Sequence, residues 1–342
     1  MILTALGLMS GTSLDGVDVA LIQTDGRQIK SLGPSGYRPY SAAERSLLRQ
    51  ALADAVQIER REERPGRVRE AEQAVTLAHA EAIAAFLAQH RLMPEDVDIV
   101  GFHGQTVLHR PERRLTVQIG DAAALAKAVH MPVMHDFRAA DVDFGGQGAP
   151  LVPVYHRALT QSLSRDGPIA VVNIGGVANI TYIDGEDVLI ACDTGPGNAL
   201  LDDFVSRTTG QPFDQDGRLA EQGRPDEAWI AQALQLPFFA LPPPKSLDRN
   251  DFAALKLDQA IPADGAATLT AFTVAAIARV VPLLPKPPAS VESADALGWS
   301  ADAIEAQAFG FLAVRGMKGL PLSYPTTTGV PFPMTGGVIA RP

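Results

Sequence analysis

Residues 4–26 read TALGLMSGTSLDGVDVALIQTDG. Two apolar runs, 5–9 and 17–22, flank the turn SGTSLDG, and Asp25-Gly26 closes the stretch. Short apolar runs bounded by Gly, Ser and Asp clusters predict two strands joined by a hairpin turn. With a third strand near 29–40 they form an antiparallel meander, 2–9, 17–24 and 29–40. The period then changes. Ser41 followed by Glu44 is a capping box, so a helix begins there and runs to about residue 58. A charged link, 60–67, leads into a second helix. Val68, Ala71, Val75, Ala78, Ala82 and Phe86 recur at helical spacing and predict that helix over 68–90. VDIVGF (97–102), LTVQIG (115–120) and PVMHDF (132–137) read as strands, with a helix capped by Asp121 running through 130. Strands alternating with helices predict an α/β fold.

The second half repeats the opening. IAVVNIGGVANITYIDG (169–185) is again apolar run, glycine turn, apolar run and Asp-Gly. VLIACDTGPGNALLDDF (188–204) follows as strand, glycine turn and helix. A chain of 342 residues exceeds one ordinary core, so two domains of related architecture are expected, each opening with a hairpin whose tip faces a shared interdomain cleft. The expected boundaries are 1–135 with 316–342 for the first domain and 136–315 for the second. The Pro/Gly-rich tail, 319–337, is expected to be extended or looped.

The net charge of −10 argues against a general nucleic-acid binder, because phosphate neutralisation needs clustered Lys and Arg. The single cysteine, Cys192, allows no intrachain disulfide and fits a reducing compartment. The N-terminus has no basic region before an apolar stretch. No run approaches the ~20 apolar residues of a membrane helix. A soluble, cytoplasmic protein without membrane partners is the expectation.

The turn between the first strands carries candidate chemistry. Glycine lets backbone N–H groups approach an anion, and successive N–H groups form an anion-binding concavity. Thr12 and Ser13 add hydroxyls, and Asp15 is a carboxylate suited to hydrated Mg²⁺. An ordinary hairpin turn is the alternative, since the same residues favour turns. In CDTGPGN, Asp193 ends a strand before Gly195 and Gly197; it reads either as a base or as the cap of the next helix. In GFHGQTVLHRP (101–111) a strand ends in His103, Gln105 and Thr106, a cluster suited to a sugar or amide, or to a structural role. In DFRAADVDFGGQGAPLVP (136–153), Arg138 and Asp141 precede a glycine loop. Arg138 suits a substrate carboxylate held bidentately, or an ion pair. PPPKSLDRNDF (242–252) brings Lys245, Ser246, Asp248 and Arg249 together, to line a cleft or cap a helix. Glu305 lies on a late helix, 298–315, among apolar neighbours and needs a partner there. Neither G-x-x-x-x-G-K-[ST] nor G-x-G-x-x-G nor H-E-x-x-H occurs.

GLMSGTSLDGVDVAL, GFHGQTVLHRP, DFRAADV with GGQGAPLVP, NIGGVANIT, DTGPGNALLDD, PPPKSLDR and DAIEAQAFGFLAVR occur in this order. The ordered set resembles the anhydro-N-acetylmuramic acid kinases of bacterial cell-wall recycling, over most of the chain. The resemblance implies two ribonuclease-H-like domains, as in the sugar kinase, Hsp70 and actin superfamily, with ATP and Mg²⁺ as cofactors and a homodimer. It implies that the 1,6-anhydro ring is opened by water and O6 phosphorylated. By the same resemblance Gly11, Thr12, Ser13, Leu14, Asp15, Gly16, Val17 and Asp18, with Gly175, Gly176 and Asn179, bind the nucleotide. Asp193 is then the catalytic base, and His103, Gln105, Thr106, Arg138, Asp141 and Glu305 line the sugar. Another sugar or acetate-type kinase of the superfamily, or a non-catalytic nucleotide or sugar binder, is the alternative. One departure stands out. Family members carry a strand, a Gly-Gly-Gly turn and a helix late in the second domain. Here PKPPASV (285–291) runs directly into ESADALGW. Loss of that strand would leave an unpaired sheet edge.

Overall fold

The first hairpin pairs β1 (Leu3–Ser10) with β2 (Gly16–Thr24), and β3 (Ile29–Pro39) completes the meander. The structure is a computed structural model that describes all residues except Thr12, Ser164, 248–251, 253, 256, 258–260, 288 and 289. The expected contributions of Thr12, Asp248, Arg249 and Pro288 therefore lie outside the described residues.

The chain continues through α1 (Ala42–Ala55), α2 (Val68–His90), β4 (Ile99–Arg110), β5 (Leu115–Ile119) and α3 (Ala122–Val129). It then passes β6 (Val133–His135), α4 (Ala139–Asp143) and α5 (Pro153–Thr160). Ser41 caps α1 as its sequence requires, with its hydroxyl accepting from Glu44 N and the Glu44 carboxylate accepting from Ser41 N. Val68, Ala71, Val75, Ala78, Ala82 and Phe86 form the buried face of α2 against Leu6, Leu8, Val17 and Val19. β4 does not end at 102. Residues 105–110 pair with β5, so hydrogen bonding carries the strand on to Arg110.

In the seven-stranded sheet the order is β10-β6-β4-β1-β2-β3, with β5 on β4. β4 runs parallel to both β1 and β6. A meander with parallel strands added beside its first strand is the ribonuclease-H-like arrangement.

Residues after Asp166 build a second sheet from β7 (Ile169–Ile174), β8 (Val177–Asp184) and β9 (Val188–Pro196), all antiparallel. Its helices are α6 (Asn198–Thr209), α7 (Glu227–Ala233) and α8 (Pro262–Val280). This is the meander without its parallel strands. Among the described residues β7 pairs only with β8, and Val172 and Ile174 on it are exposed. With its following turn, α8 is long and apolar enough to cross a membrane, over Pro262–Leu283, which corrects the expectation that no run was. Its Phe272, Ala276 and Val280 are fully buried in the cores of this unit, as in a core helix.

The chain closes with α9 (Ile304–Met317), α10 (Pro325–Thr328) and β10 (Val338–Ala340). The tail is thus not wholly extended: Pro325 opens one helical turn. The two compact units are Met1–Arg165 with Glu292–Pro342, and Asp166–Val291. Residues 136–165 and 292–315 fall in the first unit, where the sequence had placed them in the second. The physical reason is packing. α9 lies on β1, β2 and β4, and Tyr155 of α5 donates to Gln307 of α9 at 2.6 Å.

Candidate functional site

The turn between β1 and β2 is held at both ends. Leu14 N donates to Gly11 O at 3.2 Å, and Leu14 takes a positive φ of 56° to close the bend. Asp15 Oδ1 accepts from Ser13 Oγ at 2.5 Å and from Gly16 N at 3.1 Å. Ser13 and Asp15 are exposed, whereas Leu14, Gly16 and Val17 are buried. The hydroxyl and carboxylate therefore sit where a ligand can reach them, while Leu14 and Val17 anchor the turn in the core.

Asp18 follows on β2. Burial pushes its carboxyl up to about 7, and the neighbouring charges of Asp15, Glu305 and Asp302 push the same way. Four carboxylates thus gather where α9 begins beside the hairpin. In the unfolded chain Asp18 titrates near its ordinary value, about 3.9. A raised value in the fold means the neutral form is the favoured one there. Its stabilisation is complete below the unfolded value and is lost as pH rises through about 7. Asp18→Asn removes that loss. The thermal midpoint of the wild type is therefore expected to fall more steeply than that of Asp18→Asn between about pH 5 and pH 8. Equal slopes in a pH series of melting curves would rule this out.

Glu305, in the first turn of α9, has its carboxyl raised by burial, with the Arg138 charge pulling it down. Arg138 donates from Nη1 to Gly148 O at 2.7 Å and from Nε to His103 Nε2 at 3.2 Å. His103 Nδ1 lies 2.8 Å from Gly104 O. Burial and the Arg138 charge hold the imidazole well below its usual value, so it is neutral, donating through Nδ1 and accepting at Nε2. His103 therefore orients Arg138. Asp141 is engaged on both oxygens: Gly148 N at 2.6 Å on one, and Thr328 Oγ1 at 2.6 Å with Ser323 Oγ on the other. It ties the glycine loop to the tail. Thr106 Oγ1 accepts from Gln118 Nε2 at 3.2 Å, and Gln105 is fully buried with both ends of its amide bonded. Of the expected sugar residues, Arg138 and Glu305 form one electrostatic group with His103 behind them, while Gln105, Thr106 and Asp141 are occupied by other parts of the chain.

Asp193 sits on β9 opposite Asn179 of β8. Its Oδ2 accepts from Leu247 N at 2.7 Å, and its own N–H donates to Lys245 O at 2.9 Å. It caps no helix: α6 begins at Asn198 with Gly197 before it. Burial pushes the carboxyl up to about 7 against the pull of the Leu247 amide and the Lys245 ammonium. Lys245 is itself buried, donating to Phe238 O at 3.2 Å with Nζ over the Phe238 ring. Asn179 Oδ1 is buried and has no partner. A buried carbonyl oxygen in that state awaits a donor, a water or a hydroxyl. Gly175 and Gly176 accept through their carbonyls from Asn198 N at 2.7 Å and Gly197 N at 3.0 Å. A Cβ on Gly197 would lie 2.1 Å from Gly175 O, so only glycine lets the two turns touch.

Sequence reasoning missed Asp302, which reaches Asp18, and Ser10 and Tyr40, which hold the first turn. It left Lys245 undecided. Nothing in a linear pattern marks Ser10, Tyr40 or Asp302, because Ser10 and Tyr40 meet across 30 positions and Asp302 acts on Asp18 across 284. Among the described residues no group of three or more His, Cys, Asp or Glu is arranged to hold a metal.

A family model described as anhydro-N-acetylmuramic acid kinase matches residues 3–286 and 276–342. The curated anhydro-N-acetylmuramic acid kinase of Bradyrhizobium diazoefficiens is 72% identical over 367 positions, covering 100% of both chains. That of Rhodopseudomonas palustris strain BisB18 is 72% identical over 365 positions, 99% of this chain and 100% of the relative. That of Methylobacterium nodulans is 52% identical over 372 positions, again 99% and 100%. An alignment of 367 positions against a chain of 342 leaves about 25 positions facing a gap here, and the family match divides at 276–286. Among solved structures, the Aquifex aeolicus member of the Ppx/GppA family aligns over 84% of this chain and 92% of its own, with a TM-score of 0.31 and 10% identity.

Proposed function

Because this chain belongs to the anhydro-N-acetylmuramic acid kinase family, we propose that it opens 1,6-anhydro-N-acetylmuramic acid with water and phosphorylates O6 from ATP. The products are N-acetylmuramic acid 6-phosphate and ADP, and the setting is peptidoglycan recycling. The observation that carries the chemistry is Asp193, a carboxylate with a pKa of about 7 beside the unpartnered Asn179 oxygen. A base is most effective when its pKa lies near the working pH. In this reading a water donates one hydrogen to Asn179 Oδ1 and gives its proton to Asp193. Its oxygen attacks C1, the C1–O6 bond breaks with its electrons left on O6, and O6 attacks the γ-phosphorus as ADP leaves. Lys245 and the Leu247 amide favour the ionised form of Asp193 against its burial.

Arg138 and Glu305 hold the sugar. Arg138 offers a fork for the lactyl carboxylate, oriented by His103, and Glu305 accepts from hydroxyls. The turn from Gly11 to Asp18 takes the ATP phosphates through backbone N–H groups. Asp15 fits Mg²⁺, since this ion keeps several waters and needs only one or two carboxylates beside the phosphates. The like charges of Asp15, Glu305 and Asp302 around Asp18 make the surroundings of the turn favourable to a cation, without forming a ligand cluster of their own. When bound with the nucleotide, Mg²⁺ supplies charge neutralisation for phosphoryl transfer.

The test of the activity is a coupled ADP assay. ADP is expected with anhydro-N-acetylmuramic acid present and not without it; equal release in both would overturn the reading. A second test addresses the turn. A Cβ on Gly11 meets nothing closer than Ser13 Oγ, at 3.4 Å, so Gly11→Val is expected to leave the fold intact and weaken ATP binding about tenfold or more. Unchanged affinity by calorimetry would move the phosphates elsewhere. We place the enzyme in the cytoplasm as a homodimer, the state the family resemblance implies. A monomeric mass by light scattering would remove the homodimer.

A further inference from the structure

Gln105 sits in a run of polar residues that looks like ligand-binding sequence, yet none of its polar atoms is available to a ligand. It is fully buried, and Ser10 and Tyr40 beside it are 1% and 3% exposed. Ser10 and Gln105 face each other across the parallel pair β1–β4, where a bulge shifts the register. Ser10 Oγ donates to Gln105 Oε1 at 2.6 Å. Its only hydrogen is thereby committed, so the 2.9 Å contact with Tyr40 must have Tyr40 O–H as the donor. Gln105 Nε2 in turn donates to Gly11 O at 3.1 Å. The hydrogen bonds therefore run one way: Tyr40 to Ser10 to Gln105 to the first carbonyl of the turn. Burial pushes the Tyr40 phenol up to about 12, so it stays a donor across the working range of pH. The backbone of Tyr40 grips the other end, its N–H donating to Asp15 O at 2.8 Å.

This arrangement has a consequence for the turn. Gln105 fixes the Gly11 carbonyl and the Tyr40 N–H fixes the Asp15 carbonyl, so the turn is clamped to the core on both sides of the backbone it offers to an anion. We infer that Ser10, Gln105 and Tyr40 form a buried relay that sets the phosphate-binding turn, and that Gln105 is a positioning residue for the nucleotide rather than a sugar ligand. The inference rests on the proposed assignment of that turn to ATP.

Gln105→Met keeps length and volume but removes the link between Ser10 Oγ and Gly11 O, leaving Gly11 O only the Leu14 N–H of the turn itself. Tyr40→Phe breaks the relay at its far end, keeps the ring in the core and leaves the backbone contact to Asp15 untouched. Both variants are expected to raise the KM for ATP, by about tenfold for Gln105→Met and about threefold for Tyr40→Phe, with the KM for the sugar within about twofold. In a double-mutant cycle the two effects on ATP binding are expected to be less than additive, because the first break already releases the chain. A rise in the sugar KM with ATP unaffected would make Gln105 a sugar ligand and overturn the inference. Unchanged KM for both substrates, or full additivity in the cycle, would also overturn it. Gly11→Val is measured alongside. If it weakens ATP binding and the relay variants do not, the relay fails and the turn assignment stands. If neither does, the turn assignment itself is at fault. If Gln105→Met does not fold, Tyr40→Phe and the cycle with Ser10→Ala carry the same test.

Discussion

Asp193→Asn is expected to lower turnover by roughly 10²–10⁴ while leaving ATP and sugar affinity within a few fold. Asparagine nearly matches aspartate in shape, and its amide oxygen can still accept from Leu247 N, the bond that fixes Asp193 at 2.7 Å. It cannot take a proton. Ring opening and phosphorylation should be lost together, because one proton transfer starts both. Product analysis in oxygen-18 water separates the steps, following label at C1 and phosphate at O6. A variant that still opens the ring at the wild-type rate would show that Asp193 does not activate the water, and Glu305 would become the candidate. The wild-type enzyme should show the titration of the same group. With a carboxyl raised to about 7, the active, ionised form is lost as pH falls through that value. The rate should therefore fall about tenfold per unit below pH 7, and Asp193→Asn should lack that limb.

Gly7→Ala is expected to destabilise the first unit by about 3 kcal/mol or more, at the upper end of what overpacking costs. A Cβ on Gly7 would lie 1.7 Å from Ala306 O and 2.5 Å from Gly310 N. Neither neighbour is a flexible side-chain end; both are the backbone of α9. Gly101 of β4 is in the same position, 2.1 Å from Phe309 O. The helix therefore lies directly on the sheet backbone through glycines on two strands. Any side chain between them must lift α9 away, and with it Glu305 in its first turn. Gly175→Ala is the matched control, because its Cβ would meet nothing closer than Val177 O at 3.7 Å. Chemical denaturation should separate the two variants clearly. A Gly7→Ala protein with the wild-type midpoint would mean that α9 can shift without penalty.

Much of this was contained in the order of residues. The meander, the capped α1, the apolar stripe of α2 and the turn at 10–16 depend on neighbours within a few positions, so period and turn chemistry suffice to read them. The ordered motifs also carried the family, which the comparisons then bore out over the whole chain. The late departure, where PKPPASV (285–291) runs directly into ESADALGW, is legible for the same reason, as a break in that order. What the tertiary structure decided were the contacts made across long separations. Gly7 reads as a weak point in an apolar strand until Ala306, 299 positions on, is seen against it. Gln105 and Asp141 read as ligand groups until Ser10, Gly11, Ser323 and Thr328 take up their polar atoms. β4 continues past residue 102 only because β5 is there to pair with it. α9 belongs with the first unit because its small residues fit that sheet's glycines. A side chain's chemistry is local, but whether its polar atoms remain available to a ligand depends on what the fold brings beside it.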